Sequence, residues 1–100
     1  MIRVAVAGAA GRMGQTVCEA IEGAQEMELV GRADPLLGVA LEEVLPDAQV
    51  VVDFTRPDTA LANALACVQA GVHVVIGTSG FDAAPLEHAR TPPEIGRAHV

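Results

Sequence analysis

Glycines recur at every third position in Gly8-Ala9-Ala10-Gly11-Arg12-Met13-Gly14, and the flanks of that segment differ in period. Ahead of it, Ile2–Ala7 is a short apolar run rich in Val and Ile, the pattern of a strand buried on both faces. Behind it, from Arg12 to about Gly23, Met13, Val17, Ala20, Ile21 and Ala24 fall on one helical face. So abrupt a passage from strand to helix predicts Gly8 in the tight turn and Gly14 where the helix packs closely on its strand. Gly11, with no Cβ, lets a pyrophosphate come within hydrogen-bond reach of the backbone. The first N–H groups of a helix lack intrahelical partners, and the helix dipole is positive there, so the turn suits an anion. Arg12 adds a positive charge. In this strand–turn–helix setting the spacing predicts a dinucleotide-binding turn; a glycine-rich turn without a ligand is the alternative.

The alternation continues. Met27–Ala33 reads as a second strand, ended by Asp34-Pro35 because Pro35 has no N–H for a ladder. Leu37 to Leu45 supports one short helix stopped by Pro46. Gln49–Phe54 is a third strand built on Val50-Val51-Val52. A helix follows, with Thr55 as expected N-cap, Pro57 in the first turn and Asp58 at the capping-box position. Its expected buried face is Leu61, Ala64, Leu65 and Val68, and Gly71 is suited to the position just past its end. Val72–Ile76 is a fourth strand, and a further helix begins at Ala83. There is no internal repeat. Buried strands joined by helical crossovers predict an α/β domain. The expected fold is a Rossmann-like, doubly wound parallel sheet of about four strands, with right-handed crossovers. Val50–Asp53 should lie beside Ile2–Ala7, opposite Met27–Ala33, opening a crevice between Gly8 and Phe54.

Composition removes competing functions. A net charge of −7 opposes a nucleic-acid partner, and two Phe with no Trp or Tyr leave no base-stacking platform. All six basic residues are Arg, so neither a P-loop lysine nor a Schiff-base lysine lies within these residues. Cys18 and Cys67 are too few for a disulfide framework and read as small core residues, and the three scattered His form no metal constellation. The apolar start has only Arg3 as a basic flank, which argues against a signal peptide. Thr59–Phe81 carries no charge, but Asn63, Gln69, Gly71 and His73 interrupt it, and its period changes halfway. It reads as helix then strand rather than as a membrane span, so a cytoplasmic location is expected.

Further polar loops share the carboxyl edge of the strands, where open α/β sheets bind ligands. Asp34 lies 20 residues after Gly14 and closes the second strand, the place of an acid that holds the adenosine ribose; a turn-former before Pro35 is the alternative. Phe54-Thr55 follows the third strand and Gly77-Thr78-Ser79-Gly80-Phe81 the fourth. Their hydroxyls can bond a ribose or the nicotinamide amide. Asp53, a carboxylate ending an apolar strand, is expected to accept loop or helix N–H bonds, with a catalytic base as the other reading. His73 is expected to be a satisfied core histidine, and Glu42-Glu43 a solvated helix face.

Taken in order and spacing, Gly8–Gly14, Asp53-Phe54-Thr55-Arg56-Pro57 and Gly77–Phe81 resemble the bacterial dihydrodipicolinate reductase (4-hydroxy-tetrahydrodipicolinate reductase) family over Met1 to about Arg90. The resemblance implies an N-terminal domain that binds NADH or NADPH. It further implies that Gly8, Ala9, Ala10, Gly11, Arg12 and Met13 cradle the pyrophosphate and that Asp34 holds the adenosine ribose. Phe54, Thr55, Gly77, Thr78 and Ser79 would line the nicotinamide end. Asp34 disfavours a 2′-phosphate, while Arg32 and Arg12 can offset it. Ser79 stands where the family usually has Thr, and Pro35–Ala48 is short for the family. The implied reaction is hydride transfer to a small cyclic imine dicarboxylate in diaminopimelate and lysine biosynthesis, by a homotetramer. In the family the catalytic His pair and Lys lie in a second domain, and no Lys is present here. Another small amino-acid dehydrogenase, or a nucleotide-sensing module without chemistry, would share the glycine turn and Asp34 but not the other two motifs.

These residues are therefore expected to form an incomplete cofactor domain over 1–90, lacking the second domain. Thr91-Pro92-Pro93 breaks the helical pattern, and Ile95-Gly96-Arg97-Ala98-His99-Val100 has no amphipathic period. That run equals one reading frame of a common sequencing adapter (ATC GGA AGA GCA CAC GTC), so 91–100 is expected to be a foreign tail that packs on nothing.

Overall fold

A computed structural model describes residues 1–77 and 98–99 of the chain. Its elements are β1 (Ile2–Ala7), α1 (Arg12–Glu22), β2 (Met27–Ala33), α2 (Leu41–Val44), β3 (Val50–Asp53), α3 (Pro57–Gln69), β4 (His73–Ile76) and β5 (Ala98–His99). The strands form one parallel sheet in the order β2-β1-β3-β4-β5. Val4–Ala7 pairs in register with Val50–Asp53, and Val50–Asp53 with His73–Ile76. Chain order thus reverses direction at β1, and the gap between β1 and β3 is the switch point that the sequence predicts.

Side-chain alternation divides β1 between two cores. Ala5 and Ala7 join Val51, Val74, Leu41, Ala64 and Cys67 beneath α2 and α3. Val4 and Val6 pack with Ala9, Cys18 and Ile21 beneath α1 on the other face. Strands covered on both faces explain the continuous apolar run of β1.

Several expectations shift. The buried face of α1 is Gly14, Cys18 and Ile21, while Met13 is 55% exposed and Ala20 is exposed. Gly14 decides this rotation, because the helix approaches its strand most closely where there is no side chain. The stretch expected as one helix from Leu37 divides: Pro35–Leu37 and Leu45–Asp47 are single 3₁₀ turns around the short α2. Gly38 separates the first turn from α2 at φ +69°, a left-handed step that no continuous helix contains. In α3 the buried residues are Ala60, Ala64, Cys67 and Val68, with Leu61 and Leu65 half-buried, so the small residues take the inner line. Gly71 ends α3 at φ +73° as expected. β4 alternates, with Val74 and Ile76 buried but His73 and Val75 exposed, so His73 is not a core histidine.

Ala98 and His99 pair with Val74 and Val75 at the edge of β4. At these two residues the expectation of a tail packed on nothing is corrected. A sheet edge offers unpaired N–H and C=O groups to any extended backbone, so the pairing makes no demand on side chains. The helix expected from Ala83 lies outside the described residues. No helix among the described residues is long and apolar enough to cross a membrane.

Candidate functional site

The carboxyl ends of the strands are tied together by backbone bonds. Gly8 N–H donates to Ala33 O at 2.9 Å, Phe54 N–H to Ala7 O at 3.0 Å, and Gly77 N–H to Asp53 O at 2.8 Å. The loops after β1, β3 and β4 therefore leave the sheet side by side.

The glycines of the first loop have separable reasons. Gly8 sits at φ +76°, and a Cβ there would lie 2.9 Å from the Phe54 carbonyl carbon. A Cβ at Gly14 would overlap the Gly8 carbonyl oxygen and lie 2.9 Å from Ala9 Cα. Gly11 differs: its φ of −73° and ψ of 169° suit any residue, and a Cβ would meet the Gly8 carbonyl oxygen at an ordinary 3.4 Å. The fold thus uses Gly8 and Gly14, whereas the space over Gly11 lies open at the start of an 11-residue helix. Ala9 contributes backbone only, since its side chain is buried with Val4 and Val6. Gln15 Nε2 bonds Ala10 O at 2.9 Å and braces the loop. Gly11, Arg12 and Met13 are exposed along the rim.

Asp34 is the turn-former that one of its two sequence readings predicts, and it also reaches the glycine loop. Its Oδ1 accepts from Leu36 N–H at 2.9 Å, which makes it the cap of the turn after β2. Its Oδ2 accepts from Ala10 N–H at 3.0 Å and so couples that turn to the glycine loop. Arg32 is turned elsewhere, with its Nη2 3.0 Å from Glu22 Oε1 on α1.

At the other wall of the crevice the structure revises Thr55. The N-cap of α3 is Arg56, with no side-chain cap bond, and Asp58 accepts from the adjacent Thr59 N–H. Thr55 instead gives both its N–H (2.8 Å) and its hydroxyl (2.6 Å) to Asp53 Oδ1. Asp53 Oδ2 accepts from Asn63 Nδ2 at 2.9 Å. Asp53 is fully buried, and every one of these partners is a donor, so it acts as the acceptor that its position predicts. Burial, seconded by the Asp53 charge, pushes the Cys67 thiol up to about 12. Glu43 also departs from a purely solvated role, since its Oε2 accepts from Ala40 N–H at 2.7 Å.

Phe54 is a wedge. Its peptide abuts Gly8, which closes on it only as glycine, and its ring fills the space that a Cβ on Gly77 would take. Thr78 and Ser79 lie outside the described residues. A cavity of about 390 Å³ runs beneath this rim, lined by Gly8, Asp34, Gly38, Thr55 and Asn63 among others. A hollow of about 620 Å³ lies at the opposite, amino edge beside Gln49 and His73, away from every loop discussed above. Among the described residues no cluster of His, Cys, Asp and Glu could hold a metal ion. Asn63 escaped the sequence reading as a site residue. Its only signal was a polar side chain interrupting an apolar helix, and that becomes meaningful once α3 lies over Asp53.

The family described as "Dihydrodipicolinate reductase, N-terminus" matches residues 2–91. A 4-hydroxy-tetrahydrodipicolinate reductase of Nocardia farcinica is 47% identical over 90 residues, covering 89% of this chain and 36% of that protein. One from Beutenbergia cavernae is 45% identical over 96 residues, covering 96% of this chain and 37% of that protein. Among solved structures, the dipicolinate-bound dihydrodipicolinate reductase of Paenisporosarcina sp. TG-14 superposes with a TM-score of 0.77 at 31% identity, covering 89% of this chain and 42% of that one. The chain spans just over a third of the length of the curated relatives it matches.

Proposed function

Because this chain belongs to the dihydrodipicolinate reductase family, matching its N-terminal domain, we propose that it binds NADH or NADPH across the crevice between Gly8 and Phe54. The observation that carries this reading is the open space at Gly11, where the fold itself asks for no glycine but a pyrophosphate on the helix N-terminus does. Backbone groups of Gly8, Ala9, Ala10, Gly11, Arg12 and Met13 cradle the pyrophosphate. Asp34, already fixed by two N–H donors, keeps acceptor capacity for the adenosine ribose hydroxyls. Phe54, Thr55 and Gly77 bound the nicotinamide end, with Thr78 and Ser79 continuing that wall. The cofactor, when bound, supplies the hydride; this chain orients it and excludes water. Arg32 pairs with Glu22 at 3.0 Å in a solvent-exposed contact and Arg12 stands exposed on the rim, so the reading keeps both NADH and NADPH.

For the whole enzyme the relatives support reduction of 4-hydroxy-tetrahydrodipicolinate, a small cyclic dicarboxylate, in diaminopimelate and lysine biosynthesis. We place it in the cytoplasm as a homotetramer, with neither nucleic acid nor membrane as partner. Its proton donor lies outside this chain, which carries no Lys. The family match over residues 2–91 supports residues 1–90 as the cofactor domain.

NADH titration tests the reading directly. The chain has no Trp or Tyr, so nicotinamide emission is read without protein background. Saturable enhancement that ADP-ribose competes away is the expected result. A chain with a cooperative thermal transition and no saturable NADH binding would overturn it.

A further inference from the structure

We propose that Asp53 is the positioning residue of the nicotinamide end: held by Asn63, its carboxylate sets the Thr55 peptide and hydroxyl at the crevice rim. The inference rests on the cofactor reading above and deepens it.

Asp53 is the buried charged residue among those described, and the ion pair found there, Arg32–Glu22, leaves it without a cation. Burying a carboxylate this way is costly unless hydrogen bonds replace its water. The replacements all point toward the site. Oδ1 takes the N–H and the hydroxyl of Thr55, closing a short turn around Phe54. Oδ2 takes Asn63 Nδ2 from α3, and Asn63 and Thr55 both line the cavity below the rim.

The turn that Asp53 closes contains the peptide that meets Gly8 across the crevice. Phe54 C and O would lie 2.9 and 3.0 Å from a Cβ at Gly8, and Thr55 N 3.2 Å from it. Any movement of that turn therefore changes the width of the crevice. The main-chain oxygen of Asp53 also accepts from Gly77 N–H at 2.8 Å, so one residue sets the start of both loops that wall the nicotinamide end. The Thr55 hydroxyl donates to Asp53 Oδ1 at 2.6 Å, which fixes where that oxygen stands at the rim. None of these bonds reaches the glycine loop or Asp34, which hold the adenosine half. Asp53 therefore acts first on the nicotinamide end and reaches the pyrophosphate loop indirectly, through the Phe54 peptide packed on Gly8.

That asymmetry supplies the test. ADP-ribose carries the pyrophosphate and adenosine but no nicotinamide, so the 100-residue chain is titrated with NADH and with ADP-ribose. In Asp53→Asn, an amide NH2 replaces the oxygen that Asn63 Nδ2 meets, so the contact survives only if Asn63 turns its own amide over, and the Thr55 bonds lose their charged acceptor. The swap Asp53→Asn with Asn63→Asp restores one donor and one acceptor in that contact. For Asp53→Asn we expect the NADH Kd to rise about tenfold while the ADP-ribose Kd stays within about twofold. The swap should bring the NADH Kd back to within about threefold of the parent. Unchanged NADH binding in Asp53→Asn would overturn the proposal. So would equal loss of both ligands, which marks a role in folding alone, or a swap that rescues nothing. If the unsubstituted chain binds neither ligand, the cofactor reading itself falls, an outcome distinct from the others.

Discussion

Replacing Gly11 by Val separates a glycine kept for a ligand from one kept for the fold. The backbone at Gly11, φ −73° and ψ 169°, is accessible to Val without strain. The first added atom lies 3.4 Å from Gly8 O, so nothing in the loop must yield. Val is a poorer residue than Gly at a helix start by up to about 1 kcal/mol. The reduced freedom of the unfolded chain returns about 0.4–1 kcal/mol. The two nearly cancel, and Tm should move by no more than about 4 °C. Binding has no such compensation, because the branched side chain stands over the N–H groups of the helix start. We expect the NADH Kd to rise at least about tenfold, or about 1.4 kcal/mol. Fluorescence titration gives the Kd, and circular dichroism on the same sample gives Tm. An unchanged Kd would remove the pyrophosphate from this loop. A Tm lower by more than about 10 °C would show that the fold needs Gly11 after all, against the contact argument.

Gly14→Ala should behave oppositely, because its Cβ meets the main chain of Gly8 and Ala9, which cannot swing aside. A loss of about 1–3 kcal/mol, or roughly 5–20 °C in Tm, is the expected calorimetric result, and an unchanged Tm would contradict it. Asp34→Ala strips the acceptor from Ala10 and Leu36 N–H and should weaken NADH and ADP-ribose alike, by less than Gly11→Val does; selective loss of NADH would contradict the assignment of Asp34 to the adenosine half. Cys67 holds its proton more tightly folded than unfolded, so stability is complete below the unfolded thiol pKa near 9 and declines as pH rises toward about 12. With no Lys or Tyr to titrate there, Cys67→Ala should flatten that alkaline decline in urea-melt midpoints, and an identical decline in the variant would refute the assignment.

The order of strands and helices, the glycine turn and the switch point beside β1 were all legible in the sequence, because local spacing carries them. A glycine turn between a β-branched run and a helical period marks a strand–turn–helix, with Gly8 and Gly14 as the glycines the fold uses, and β-branched runs at positions 2–7 and 50–52 suit burial on both faces. The acceptor role of Asp53 was legible too, since a carboxylate at the end of a buried strand must find donors. Which donors it finds was not. Thr55 has the local credentials of a helix cap, and only the closeness of Asp53 Oδ1 turns its hydroxyl away from α3. Asn63 becomes a site residue only because α3 crosses the end of β3. The same limit applies to Gly77, which looks like loop flexibility until the Phe54 ring lies where its Cβ would be. It applies to α1 as well, where periodicity allowed Met13 to face inward and Gly14, packed on Gly8, decided otherwise. Periodicity and turn chemistry act between near neighbours in sequence. Hydrogen-bond partners and close contacts join residues brought together by the sheet, so tertiary structure alone selected among the locally permitted choices.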